Sequence, residues 1–246
     1  MTDWPYPLWI AHRGGGGAAP ENTLAALRTG AAAGFRMVEF DVMLSRDGVP
    51  VLMHDETLDR TTNGQGNVNS RDCAELERLD AGSRHGAAFA GERIPTLATA
   101  LDTLLSLGLA ANIEIKPAAG FERETGEVAA RLVAARWPGT AVPPLLSSFS
   151  QVALAAAREE APGLPRGLLF DDVPDDWPAQ LAAHEAVSLH CNEAALDDAT
   201  LRALRAAGVP VLCYTVNDGV RAQALIAAGV AGLFTDSLEL PSRLQG

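Results

Sequence analysis

Cysteine is scarce in this chain and follows no pattern. Cys73, Cys191 and Cys213 are odd in number and far apart, and no C-x-x-C pair occurs. That spacing excludes a disulfide framework and gives no sign of a zinc site. Reduced, mostly buried thiols are expected instead. Long apolar runs are missing too, since no stretch approaches the ~18 residues that a membrane helix needs. The opening Met1-Thr2-Asp3-Trp4-Pro5 has neither the basic region nor the apolar region of a secretory leader. Positive charge is the third shortage. Nineteen Lys and Arg stand against 31 Asp and Glu, a formal net charge of −12. An acidic chain repels a phosphate backbone, which argues against a nucleic-acid partner. It repels small anions as well, so a site for one would need local positive charge from Arg, Lys or a bound metal. These absences together predict a soluble cytoplasmic protein with no stable membrane association.

What is present is a rhythm. Short apolar runs alternate with Ala/Leu-rich stretches of helical period along 246 residues that are 48% hydrophobic. Strands are expected at 8–12, 37–43 continued by 49–54, 111–116, 145–148, 167–170, 187–190, 209–215 and 232–235. Helices are expected at 22–33, ended by Gly34, and at 97–107, closed by Gly108. Further helices are expected at 122–136, 151–160, 175–184, 197–207 and 218–228, with a short one to finish. Strands separated by helices pair in parallel. Eight such units in about 250 residues predict an α/β fold, a closed TIM-type (β/α)8 barrel, in one domain with no dividing linker. The segment 55–93 interrupts the rhythm. It is polar, rich in Gly, Asn and Arg, and holds a short helix near 72–79. It predicts a small inserted subdomain after the second strand, placed to overhang the barrel mouth.

In such a barrel, polar residues at the C-terminal ends of strands face the mouth. The first strand ends in His12-Arg13 and a run of four glycines. The second carries Glu39 and Asp41 two apart, hence on one side, with Val38 and Phe40 on the other. His54-Asp55 closes the next extended run, and Glu114 and Lys116 lie two apart on the strand after the insertion. Three carboxylates on neighbouring strands repel one another unless a cation sits among them. Oxygen-only ligands favour a hard ion, Mg²⁺ or Ca²⁺. With that ion, Arg13 and Lys116 would leave the site positive toward an anionic substrate. Asn22 is expected to cap the first helix, His85 and His184 to lie at the surface, and His190 to frame the barrel. A dinucleotide fingerprint can be read in Gly14-x-Gly16-x-x-Ala19 with Glu39 downstream. Against it, Pro20-Glu21 puts a carboxylate where a pyrophosphate should meet a helix N-terminus.

The motifs in their order resemble those of the glycerophosphodiester phosphodiesterases. They are His12-Arg13-Gly14, Ala19-Pro20-Glu21-Asn22-Thr23, Glu39-Phe40-Asp41-Val42, Asp47-Gly48-Val49-Pro50-Val51 and His54-Asp55-Glu56-Thr57-Leu58-Asp59-Arg60-Thr61-Thr62. After them come Glu92-Arg93-Ile94-Pro95-Thr96-Leu97, Asn112-Ile113-Glu114-Ile115-Lys116-Pro117, Ser147-Ser148-Phe149-Ser150, Tyr214-Thr215-Val216-Asn217 and Phe234-Thr235-Asp236. The resemblance implies a TIM barrel that hydrolyses deacylated phospholipids to sn-glycerol 3-phosphate and an alcohol. It implies Glu39, Asp41 and Glu114 as ligands of a divalent metal, His12 and His54 as the acid–base pair, and Arg13 and Lys116 as phosphate holders. One departure stands out: the family usually has Trp where this chain has Tyr214, so the fit to one half of the substrate is expected to differ.

Overall fold

Val38, Phe40 and Val42 pack outward from the second strand into a cluster with Leu97, Leu101, Leu104, Ile113 and Ala129. That packing fixes which side of each strand faces in. In the computed structural model, which describes residues 4–244, the elements run in the expected alternation. Strand β1 (Trp9–Ala11) leads to helix α1 (Leu24–Ala32), β2 (Met37–Leu44) and β3 (Pro50–Leu52). The inserted segment carries α2 (Cys73–Leu76), after which come α3 (Leu97–Leu107), β4 (Ala110–Ile115), α4 (Glu122–Arg136), β5 (Leu145–Ser148) and α5 (Gln151–Glu160). The second half is β6 (Arg166–Phe170), α6 (Trp177–His184), β7 (Ser188–Asn192), α7 (Asp198–Ala206), β8 (Val211–Tyr214), α8 (Gly219–Ala228), β9 (Gly232–Thr235) and α9 (Leu240–Arg243).

The hydrogen-bonded order is β1-β9-β8-β7-β6-β5-β4-β2-β3, and β1 also pairs with β2. That last pairing closes the ring, so the fold is a TIM barrel. The extra strand β3 runs antiparallel to β2 outside the parallel set. Tyr6, Ile10, Met37, Leu145, Leu212 and Phe234 fill the interior. Above them, register places Glu39 beside Asn112 and Asp41 beside Glu114 on the adjacent strands β2 and β4. The insertion between β3 and α3 has a small core of its own, where Leu58, Val68, Cys73 and Leu76 pack on Met43, Val51 and Met53. All three cysteines are buried free thiols. Among the described residues, no helix is long and apolar enough to cross a membrane.

Two local expectations are overturned. Asn22 does not cap α1. Thr23, in extended conformation, takes that place, and its side chain accepts a hydrogen bond from the Ala26 N–H. Asn22 sits at φ 58°, a left-handed conformation that asparagine tolerates better than most residues, and its side chain turns inward. His184 is not at the surface. It ends α6 facing α5, with 8% of its surface exposed, and its Nε2 lies 3.2 Å from Gln151 Oε1. Helical periodicity showed that α6 is helical, but not that its last turn is covered by a neighbour. His85 is exposed, as expected.

Candidate active site

Glu39, Asp41 and Glu114 converge at the C-terminal mouth of the barrel. Each is buried, and one carboxylate oxygen from each lies within 4.8 Å of the others. Asp41 is the most constrained, because the Asn22 amide donates to its Oδ2 at 2.8 Å and accepts its backbone N–H at 3.0 Å. Glu39 Oε2 accepts the Arg13 backbone N–H at 2.9 Å, while its buried Oε1 has no partner among the described residues. Burial first, and then the neighbouring carboxylates, push Glu39 well above the usual carboxylate range and Glu114 up to about 7. Such a cluster of oxygens with one left unsatisfied fits a hard divalent cation.

Two cationic side chains face the cluster. Lys116 Nζ is 3.4 Å from Glu114 Oε1 and 3.8 Å from Asp41 Oδ1. It is the only lysine in the chain. Arg13 Nη1 donates to Glu21 Oε1 at 2.8 Å, and its Nε, 4.0 Å from Asp41 Oδ2, is buried without a hydrogen-bond partner among the described residues.

The two histidines are built alike. His12 Nδ1 is 2.7 Å from Asp236 Oδ1, and Asp236 is held in turn by the Asn217 amide at 3.0 Å. His54 Nδ1 is 2.6 Å from Asp55 Oδ1, and Arg60 holds Asp55. A carboxylate on Nδ1 fixes the proton there in the neutral ring and leaves Nε2 as the lone-pair nitrogen. Burial holds His54 below the usual imidazole range, against the pull of Asp41 and Asp55.

All eight residues singled out in the sequence (His12, Arg13, Glu39, Asp41, His54, Glu114, Lys116 and Tyr214) line one cleft of about 510 Å³. This is the size of a small-molecule site. In the same cleft, the rings of Phe149 and Tyr214 meet edge to face at 5.9 Å. The Tyr214 hydroxyl donates to the Phe170 carbonyl at 2.8 Å and therefore points along the wall.

The Glycerophosphoryl diester phosphodiesterase family matches residues 12–240. The chain belongs to this family. A glycerophosphodiester phosphodiesterase of Caldanaerobacter subterraneus is 36% identical over 233 residues, covering 94% of this chain and 95% of that protein. A glycerophosphodiester phosphodiesterase of Bacillus subtilis is 31% identical, covering 95% and 84%. The structure of an Oleispira antarctica phosphodiesterase in complex with the product sn-glycerol-3-phosphate superposes with a TM-score of 0.94 at 38% identity, over 98% of both chains. Membership makes this chain an enzyme that cleaves phosphodiesters of the glycerophosphodiester class.

Within this family's barrel, sequence reasoning missed several residues at the site. In the sequence Asp236 is only part of a motif, and nothing local says that it reaches His12 across 224 positions. Phe149 stands just past the end of β5, where an aromatic among serines was the available signal. Glu21 and Arg60 left no signal beyond their motifs. His190 lines the floor of the cleft fully buried, with Nε2 3.0 Å from Ser188 Oγ. Burial pushes its imidazole down to about 3, so it is a neutral framing residue, in line with the expectation for it.

Proposed function

We propose that the chain is a divalent-metal-dependent glycerophosphodiester phosphodiesterase that releases sn-glycerol 3-phosphate and an alcohol. The whole chain acts as one barrel domain in the cytoplasm. The observation that carries this reading is the set of three buried carboxylates within 4.8 Å of one another, facing Arg13, Lys116 and two carboxylate-backed histidines. Glu39, Asp41 and Glu114 would hold Mg²⁺ or Ca²⁺. When bound, the ion supplies Lewis-acid polarisation of the phosphoryl oxygens and offsets their charge.

The residues of the chain do the rest. Arg13 and Lys116 bind and orient the phosphoryl oxygens, and their positive charge supports the transition state. One histidine takes a proton at Nε2 from the attacking hydroxyl, either water or a hydroxyl of the glycerol. The other starts as the imidazolium, keeps its Nδ1 proton on its carboxylate, and gives its Nε2 proton to the departing alkoxide as the bond to phosphorus breaks. Asp236 and Asp55 keep each ring in the tautomer that this exchange requires. Tyr214 presents a ring face to the substrate, as the family's Trp would, because its hydroxyl is taken by Phe170.

The test is a coupled assay for sn-glycerol 3-phosphate release from glycerophosphocholine, glycerophosphoethanolamine and glycerophosphoglycerol. It is run on chelator-stripped protein with and without Mg²⁺ or Ca²⁺. Release that requires added metal is expected. Full turnover in excess chelator would sink the metal reading, and no release from any of the three diesters would sink the substrate.

A further inference from the structure

One guanidinium ties the two halves of the site together. Arg60 lies in the insertion, outside the cleft-lining set, with 47% of its side chain exposed. Its Nη1 and Nη2 donate to the two oxygens of Glu21 at 2.6 and 2.8 Å. Its Nε and Nη2 donate to the two oxygens of Asp55 at 2.6 and 3.0 Å. Glu21 is the carboxylate that holds Arg13, and Asp55 is the carboxylate that holds His54 Nδ1. The chain of contacts thus runs Arg13–Glu21–Arg60–Asp55–His54, from the loop after β1 to the loop after β3. Every link is between charged or charge-assisted partners, the short and directional kind.

We propose that Arg60 is a positioning residue for the reaction: by clamping Glu21 and Asp55 together it fixes the distance between Arg13 and His54. This rests on the reading that Arg13 binds the phosphoryl group and His54 moves a proton. Neither carboxylate alone sets that distance, because each is anchored to only one of the two. A guanidinium can grip two carboxylates at once in a plane, and an ammonium cannot. Asp55 is held below the usual carboxylate range by Arg60 above all. Glu21 is too, where Arg60 and Arg13 outweigh its burial. Both stay ionised as anchors throughout the working pH range.

A role confined to holding the insertion in place would lower stability without linking Arg60 to the kinetics of Arg13 and His54. The experiment uses that difference. Values of kcat and KM are measured on the metal-loaded full chain for wild type, Arg60→Ala, Arg60→Lys, His54→Ala and Arg13→Ala. The doubles Arg60→Ala/His54→Ala and Arg60→Ala/Arg13→Ala are measured with them, and thermal melts of all are recorded. Arg60→Ala is expected to lower kcat/KM about 10–100-fold, the usual effect of removing an outer orienting partner. Its effect on kcat should vanish in the His54→Ala background and its effect on KM in the Arg13→Ala background, because residues acting as a unit are not additive. Arg60→Lys should recover only part of the loss. Wild-type kinetics in Arg60→Ala alongside impaired His54→Ala and Arg13→Ala would overturn the proposal. So would a loss that multiplies undiminished on both backgrounds. Wild-type kinetics in both His54→Ala and Arg13→Ala would overturn the underlying reading, and the proposal with it.

Discussion

Chelator-stripped protein taken from pH 5 to pH 8 tests the carboxylate cluster without any substrate. Glu114 is pushed up to about 7 in the folded state, by burial and then by Asp41 against the pull of Lys116, whereas an unfolded Glu titrates near ~4.3. A carboxyl whose folded-state pKa is raised favours the fold while it keeps its proton. That contribution is complete below the unfolded value and disappears as pH rises through the folded one. Metal-free stability should therefore fall across roughly pH 4.5 to 7, and Glu39, displaced in the same direction, steepens the fall. At 1.36 kcal/mol per unit, Glu114 alone accounts for up to about 3–4 kcal/mol by pH 8. For a chain of this length that is on the order of 10 °C in melting temperature. Melting curves by circular dichroism, with and without saturating Mg²⁺ or Ca²⁺, read the effect. Added metal should raise the melting temperature more at pH 8 than at pH 5, by binding the ionised cluster. The overall charge of −12 also weakens the fold as pH rises, so Glu114→Gln is the control. Metal-free, the variant should show a shallower pH slope than wild type and melt higher at pH 8, while losing most of its response to metal. Parallel slopes for the variant and wild type, or a wild-type melting temperature at pH 8 indifferent to both metals, would refute the reasoning.

Three further outcomes are expected. His12→Ala and His54→Ala should each lower kcat by ~10²–10⁴ with native circular dichroism. Their double mutant should lose much less than the product, and a wild-type rate in either single variant removes that histidine from the mechanism. Asn22→Ala, which takes away both contacts to Asp41, should weaken metal activation about 10–100-fold in a metal titration; an unchanged titration curve would mean that Asp41 needs no such support. Gly167→Ala puts a Cβ 2.5 Å from His190 Nε2 and 2.8 Å from Ser188 Oγ. The buried neighbours have little room to yield, so a loss of about 1–3 kcal/mol should appear in denaturant unfolding, and wild-type stability would show that His190 and Ser188 can move aside.

The barrel was legible where local chemistry and global packing agree. Helix α3 spans the expected 97–107 and ends at Gly108, in the left-handed cap at φ 65°. Helices α4 and α5 have the boundaries that their periodicity marks. The carboxylate cluster was legible for a related reason: two-residue spacing on strands fixes the face, and register then brings Asp41 beside Glu114. What escaped depends on approaches between distant segments. The glycine run after β1 looked like a nucleotide loop. In the fold, a Cβ at Gly16 would overlap the backbone of Asp236, so the glycine lets the loops after β1 and β9 meet and brings Asp236 to His12. Asn22 looked like a cap because it precedes a helix, while its true partner lies on β2. Arg60 belonged to a recognisable motif, but a linear motif does not show that its side chain reaches two carboxylates.

The lysine in the cleft has a practical consequence. With one ε-amino group in the whole chain, reagents that acylate or carbamylate primary amines find only Lys116 and the α-amino terminus. The extent of labelling can then be compared directly with the loss of turnover. Coupling the protein to a sensor surface through its amines risks blocking the cleft itself. A sample isotopically labelled on lysine gives a single ammonium resonance, which reports on occupancy beside Asp41 and Glu114 without a probe or a mutation.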